Sequence, residues 1–316
     1  KFGEIKYVLA DLEDADSKQF TYTIQEVKEG LDAKNNKKNG ITYDLTVHTV
    51  VVTVEDLHNG ILNVTTKYDN KDSLTITNSY AAEGEVQLFA KKDLVRRNLK
   101  DGEFTFSLYR VNGTVEEPVQ EHVPNVGNDV TFDKILYKQG FEGFTNEMDD
   151  AVYQNDDEGK PISRIKEITY VIREDIPTEG KEPDNTVIYD AEPQYVKVTL
   201  TDDLKGKISA VTDPTDTKTI TFTNIVTPII KVNAEKQQVR LSGAHFEVWL
   251  DADPSENPVD EFTTDATKPY ELKNLKTNVV YRLKETVAPK GYLLWSQDCY
   301  FMILTDGQII FSDSNQ

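Results

Sequence analysis

The chain has 316 residues, with 55 acidic against 35 basic side chains and a formal net charge of −20 at pH 7. That balance argues against binding nucleic acid or anionic membrane, both of which select for the opposite sign. Its single cysteine, Cys299, excludes an intrachain disulfide. Short runs rich in Val, Ile, Thr, Tyr and Phe, broken often by turn residues, predict an all-β chain with room for two or three domains.

In chain order, the first informative strand is Tyr22-Thr-Ile-Gln-Glu26. Tyr22, Ile24 and Glu26 share one parity and point to the same face of a strand. A carboxylate on an apolar face is costly unless a partner in the core needs it. Ile41-Thr-Tyr-Asp44, the β-branched run Val50–Val54 and a turn at Asn59-Gly60 follow. Leu74, Ile76 and Asn78 then end an apolar face on an amide.

The pattern returns further along. Leu88, Ala90, Lys92 and Leu94 place a lysine on an apolar face, and Tyr170, Ile172 and Glu174 close another on an acid. Val187-Ile-Tyr-Asp190, Val196–Leu200, Lys205-Gly206 and Ile220-x-Phe222-x-Asn224 match the elements of the first copy at a nearly constant offset, which marks an internal repeat. Phe2-Gly-Glu-Ile5 pairs with Phe132-Asp-Lys-Ile135. The first copy therefore begins where the second is well under way, and its lysine strand is expected to fall outside this sequence. Lys1 and Lys6 lie in the wrong register to replace it.

A third segment starts near Thr227. It carries Ile229 with Lys231, then Tyr281, Leu283 and Glu285 on one face, then Tyr300–Leu304 and a hairpin turn at Asp306-Gly307 leading to Ile309–Phe311. A further strand is expected to close that sandwich. The division is 1–81, a partial unit; 82–227, a complete one; and 228–316, lacking its last strand. The linkers Ala81–Glu83 and Val226–Pro228 are short, which predicts tandem β-sandwich domains in a stiff, elongated rod.

A lysine, an acid and an asparagine facing one sandwich core predict an internal amide crosslink. Desolvation lowers the lysine pKa and raises that of the acid. The neutral amine attacks the asparagine side-chain carbonyl, the protonated acid polarises that carbonyl and shuttles protons, and ammonia leaves. The acid acts once per molecule, so this is self-processing and not enzymatic turnover. The plainer alternative is that these Glu and Asn residues end strands and cap turns.

The motifs resemble a known family. Lys231-x-Asn-Ala, Leu241-x-Gly-Ala-x-Phe246 and Tyr281-x-Leu-x-Glu285-Thr-x-Ala-Pro-x-Gly-Tyr292 are similar to the Cna-B or SpaA-type prealbumin-like domains of Gram-positive surface proteins and pilins. Lys92-Asp-Leu94, Leu99–Phe106, Tyr170-x-Ile-x-Glu174 and Phe222-Thr-Asn224 resemble the pilin isopeptide-linkage domains of streptococcal-type backbone pilins. Between them these domains cover nearly the whole chain and imply an Ig-like or prealbumin-like sandwich fold. The resemblance implies Lys92 as nucleophile, Glu174 as proton shuttle and Asn224 as electrophile, the bond tying the first strand of the domain to its last. Lys91 is the alternative donor, with a parity that points outward. Glu26 and Asn78 are the corresponding residues of the first unit, without a lysine. Lys231 and Glu285 are those of the third, whose acceptor belongs on a missing strand; Asn315 is a late asparagine with no apolar lead-in.

Other chemistry is sparse. Asp251, Asp253, Ser255 and Asn257 alternate like the start of a calcium loop, but Glu256 stands where glycine is needed and Phe262 where a bidentate acid is needed. The acidic cluster Asp149–Glu158 reads as a solvated loop, and His48, His58, His122 and His245 have no metal-site spacing. Neither a cofactor nor a metal is expected. Trp249 and Trp295 read as core or rim packing ahead of a sugar platform, and Cys299 as a small core residue.

The expected function is a cell-wall stalk or a pilin or adhesin segment, extracellular, and joined to peptidoglycan through a sortase signal that this sequence lacks. No run is apolar enough for a membrane helix, and no Tyr-Pro-Lys pilin motif marks a polymerising lysine. Two other readings stand beside it. One is a module that binds host glycan or matrix protein through the loop 139–160. The other is an accessory β-array of a secreted glycosidase.

Overall fold

The computed structural model describes residues 2–177, 185–252 and 257–312, and almost all of its regular structure is β-strand. Lys1, Asp253, Ser255, Glu256 and Asn315 lie outside the described residues. The chain condenses into two compact units. One is Lys1–Glu85 with Leu136–Lys166 and Leu200–Ala210; the other is Val86–Ile135 with Glu167–Thr199 and Val211–Gln316.

In the first unit, Ser17–Ile24, His48–Asp56 and Leu62–Tyr68 form an antiparallel sheet with His48–Asp56 at its centre. The β-branched run Val50–Val54 suits a pleated, half-buried surface. Tyr22 lies opposite Val50 and Phe20 opposite Val52, so the alternating residues Phe20, Tyr22 and Ile24 pack against the core of Val50, Val52 and Val54. Leu12, from the short 3-10 turn Leu9–Leu12, joins the same core. The expected turn at Asn59-Gly60 has Gly60 at φ 84°, a conformation that costs glycine least. The predicted strand through Leu74, Ile76 and Asn78 does not form, and residues 73–78 run as irregular chain.

In the second unit, Phe89–Val95 lies parallel to Thr221–Val226, with Lys92 opposite Phe222 and Leu94 opposite Asn224. Asp129–Thr131 pairs with the other edge of the lysine strand, and Val187–Ile188 with the other edge of the asparagine strand. A second sheet contains Thr105–Asn112 between Val115–Pro124 and Thr169–Glu174. Phe106 of that sheet meets Phe222 of the first with ring centroids 5.2 Å apart. Lys92, Glu174 and Asn224 project into the core between them.

The same unit holds the C-terminal segment. Its five-stranded antiparallel sheet runs Asp260–Thr263, His245–Leu250, Val280–Val287, Cys299–Ile303 and Ile309–Ser312. Phe246, Val248, Phe262, Tyr281, Leu283 and Phe301 fill its core, with Cys299 partly buried at the margin. Ile225 belongs to the same apolar cluster, and the amides of Leu272 and Asn274 donate to the carbonyls of Thr227 and Asn185.

The segment 139–160 is more ordered than a bare loop. Val152–Asn155 forms a hairpin with the start of Pro161–Glu174. Met148 is fully buried, its amide donating to Gln139 Oε1 at 3.0 Å while Gln139 Nε2 donates to Asp149 Oδ1 at 2.8 Å. Gln139 thus anchors residues 148–149, while the acidic stretch Asp149–Glu158 is itself exposed apart from half-buried Ala151, as its composition suggested. Trp249 and Trp295 each take a different cation over the ring, Arg282 and Lys231 respectively.

Candidate functional site

The candidate site is carried by three strand positions of like parity. Lys92 follows Leu88 and Ala90, Glu174 follows Tyr170 and Ile172, and Asn224 follows Ile220 and Phe222; every one of these residues is buried. Lys92 and Asn224 are 0% exposed, which is unusual for a lysine without a strong partner. Glu174 bridges the other two. Its Oε2 accepts from Lys92 Nζ at 2.9 Å, and its Oε1 accepts from Asn224 Nδ2 at 2.5 Å. The Phe104 ring lies beneath the amine, with Nζ 4.7 Å from its centroid.

The surroundings push both titrating groups towards neutrality. Burial holds the Lys92 amine below its ordinary 10.5, and the attraction of Glu174 only partly restores it. Burial likewise raises the Glu174 carboxyl above 4.5, against the opposing effects of Lys92 and Asn224. A neutral amine and a protonated acid are the forms that nucleophilic attack on an amide requires.

The carbonyl end of Asn224 is held by a group that the sequence reading did not single out. Asn224 Oδ1 accepts from the backbone amide of Asp190 at 2.8 Å, while the Asp190 carboxylate accepts from the amides of Thr223 and Glu192. The carbonyl oxygen therefore faces a backbone N–H and the amide nitrogen faces Glu174, where the sequence had placed the acid on the carbonyl. The repeat marks the position, since Asp190 is matched by Asp44, but not the role of its backbone N–H.

In the first unit the same bonds recur without a lysine. Asn78 Nδ2 donates to Glu26 Oε1 at 3.0 Å, and the Asp44 amide donates to Asn78 Oδ1 at 2.9 Å. Glu26 Oε2, the counterpart of the oxygen that binds Lys92, is buried and has no hydrogen-bond partner among the described residues. In the C-terminal segment no amide side chain is bonded to the corresponding acid among the described residues. Lys231 Nζ lies 3.1 Å from Glu285 Oε1, though misaligned for a hydrogen bond, and Glu285 Oε2 accepts from the Trp295 amide at 2.8 Å. Lys91, the alternative donor, is on the outside, paired with Asp129.

One feature lies apart from these sites. Asp202, fully buried in the first unit, accepts from Arg164 Nε at 2.9 Å and from the Tyr80 hydroxyl at 2.5 Å. No alternation in the sequence announced that pair. Among the described residues no group of His, Cys, Asp and Glu is arranged to hold a metal ion, and no helix is long and apolar enough to cross a membrane.

Comparison with known proteins gives two family matches. The model of the Spy0128-like isopeptide containing domain matches residues 1–81 and 88–227, and that of a prealbumin-like fold domain, SpaA, matches residues 225–316. No curated protein sequence matches. Among solved structures, the Bacillus anthracis TIE protein is similar at 13% identity over 93% of this chain and 42% of that one, with a TM-score of 0.24. The pilus adhesin SpaC of Lactobacillus rhamnosus GG, in an open conformation, is similar at 10% identity over 95% of this chain and 51% of its own, with a TM-score of 0.22. The major pilin of Streptococcus pyogenes is similar at 16% identity over 64% and 82%, with a TM-score of 0.22. The chain thus spans about half or less of the first two proteins. The isopeptide-domain model covers well over half of the sequence, and the chain belongs to the family of Spy0128-like isopeptide containing domains, followed by a prealbumin-like domain of the SpaA type.

Proposed function

We propose that this chain is a segment of an extracellular, cell-wall-anchored stalk, pilin or adhesin, stiffened by a self-made amide bond between Lys92 and Asn224. The Glu174 carboxyl bridging a fully buried lysine and a fully buried asparagine carries this reading. The neutral Nζ attacks Asn224 Cγ while the Asp190 amide stabilises the charge that develops on Oδ1. The protonated Glu174 gives its proton to Nδ2 and takes one back from the lysine nitrogen. The new Nζ–Cγ bond forms, the Cγ–Nδ2 bond breaks, and ammonia leaves. The strands tied are parallel neighbours, so a pulling force is borne by covalent bonds and not by the ladder between them. The domain division 1–81, 82–227 and 228–316 belongs to the same proposal.

Intact mass and peptide mapping of the purified chain test it. Loss of one ammonia, with a branched peptide joining Lys92 to Asn224, is the expected result; a free Lys92 side chain in the folded protein would end the crosslink reading.

A second reading has an observation of its own. The hairpin at 152–165 exposes Val152, Tyr153 and Ile162, and Phe144 is exposed nearby in sequence. Exposed apolar groups on a polar chain suit a surface that binds a host glycan or matrix protein. Binding to a glycan or matrix array that is lost on Tyr153→Ser would favour it; equal binding by both proteins would remove it.

A further inference from the structure

We infer that the C-terminal segment is the positioning element of the crosslink: it holds the strands that carry or lead to Lys92, Asn224 and Asp190 in the register that the Lys92–Asn224 bond requires. The inference rests on the crosslink chemistry proposed above and adds to it what sets the geometry.

Side chains alternate along a strand, so each crosslink strand has two faces. Lys92 and Asn224 face the core that holds Glu174, and Val95 and Ile225 have the opposite parity. Ile225 lies opposite Val95 on one side and opposite Ile188 on the other. The row Val95, Ile225 and Ile188 therefore crosses three strands at one end. Ile225 belongs to the apolar cluster of the C-terminal segment, and Val95 and Ile188 pack against that cluster.

Polar contacts hold the same end. Arg96, directly after the lysine strand, donates to the Gly307 carbonyl, and a Cβ added at Gly307 would sit 3.0 Å from Val95 Cγ1. Past the asparagine strand, the Thr227 carbonyl accepts from the Leu272 amide at 3.0 Å, and Pro228–Ile229 pairs with Tyr270–Glu271. Before Asp190, the Asn185 carbonyl accepts from the Asn274 amide at 2.8 Å, and Thr186 Oγ1 donates to Glu271 Oε2 at 3.3 Å. Three pieces of chain distant in sequence thus end on one platform.

The reaction tolerates no slip of these strands. The ladder between the lysine and asparagine strands has only five pairs, from Lys91 opposite Thr221 to Val95 opposite Ile225. A slip of one residue turns Asn224 away from the core, and a slip of two carries it about 7 Å along the strand. Either slip also takes Ile225 out of its row, so the platform opposes both. Arg96 and Glu271 act through the strands and are positioning residues. Because the platform comes last in the chain, the bond is expected to close only after the C-terminal segment has folded.

The test is cell-free synthesis of the full chain, with loss of ammonia followed in time by intact mass and mapped by peptides. Arg96→Ala combined with Glu271→Ala is expected to slow bond formation roughly tenfold, and Arg96→Lys, which keeps a donor, to retain most of the rate. Each single variant is measured too, so that a double variant that fails to fold does not decide the result. Val198→Ala, buried outside the shared cluster, is the control for lost stability, and urea unfolding in an Asn224→Ala background ranks that loss for every variant. Slowing beyond the control's, at an equal or smaller loss of stability, is the expected result. An unchanged rate, or one slowed no more than in Val198→Ala, overturns the inference and leaves the crosslink reading standing. A parent chain that never loses ammonia ends the crosslink reading itself.

Discussion

Glu174 and Glu26 end strands of the same pattern, and each accepts a hydrogen bond from an asparagine whose carbonyl is held by the backbone amide of an aspartate. The Lys92, Glu174 and Asn224 side chains are all buried and hydrogen-bonded. Around Glu26 the asparagine is exposed and one carboxylate oxygen has no partner among the described residues. The glutamate–asparagine bonds are thus common to both copies, whereas residues 73–78 are irregular chain and Thr221–Val226 is a strand paired with Phe89–Val95. The C-terminal segment shows the complementary case, with Lys231 beside Glu285 and no amide side chain bonded to that glutamate among the described residues.

The sharpest way to break the comparison is to remove the acid from each copy. Glu174→Ala is expected to abolish the proposed Lys92–Asn224 bond and to leave the lysine buried without a counter-charge. A stranded buried charge costs about 3–5 kcal/mol, beyond the loss of the crosslink itself. Glu26→Ala strands no lysine, so its effect on thermal unfolding is expected to be far smaller. Equal losses of Tm in the two variants would mean that the sites are not equivalent in the way described.

Asn224→Ala comes next. It keeps the Lys92–Glu174 pair but forms no bond, and loses about 4–5 kcal/mol on the chain-entropy view of a covalent tie closing a loop of this length. Its two groups still titrate. The raised Glu174 carboxyl contributes stability that is full below 4.5 and is lost as pH rises through its folded value. The lowered Lys92 amine contributes stability that is full above 10.5 and is lost as pH falls through its folded value. The variant is thus expected to have a relative stability minimum between those two folded-state values, measured by urea unfolding across pH. In the parent the proposed bond consumes the Lys92 amine while Glu174 still titrates, so the recovery at high pH, and with it the minimum, is expected to be absent.

The smallest effect belongs to Lys91→Ala. Its partner Asp129 is a surface group, and exposed ion pairs contribute little. The crosslink mass and the melting temperature should both be unchanged, and a loss of the crosslink would reassign the donor.

Much of this was legible from parity alone. Leu88, Ala90, Lys92 and Tyr170, Ile172, Glu174 alternate, and on a strand alternation is direction, so the side chains that meet in the core could be named before their distances were known. The Asp190 amide was not legible, because a backbone N–H has no residue type to betray it. Nor was the Asp202–Arg164 pair, since charged residues far apart in sequence show no period when they meet.

The sequence by itself determined the β character, the repeat and the facing of Lys92, Glu174 and Asn224, because these depend on residue type and two-residue alternation along one strand. Only the tertiary structure decided that residues 73–78 are not a strand, that Glu26 is left half-satisfied, and that the amides of Asp44 and Asp190 hold the two asparagines. Each of those depends on what lies across the core or beside the strand, and a strand exists only where another is present to receive its hydrogen bonds.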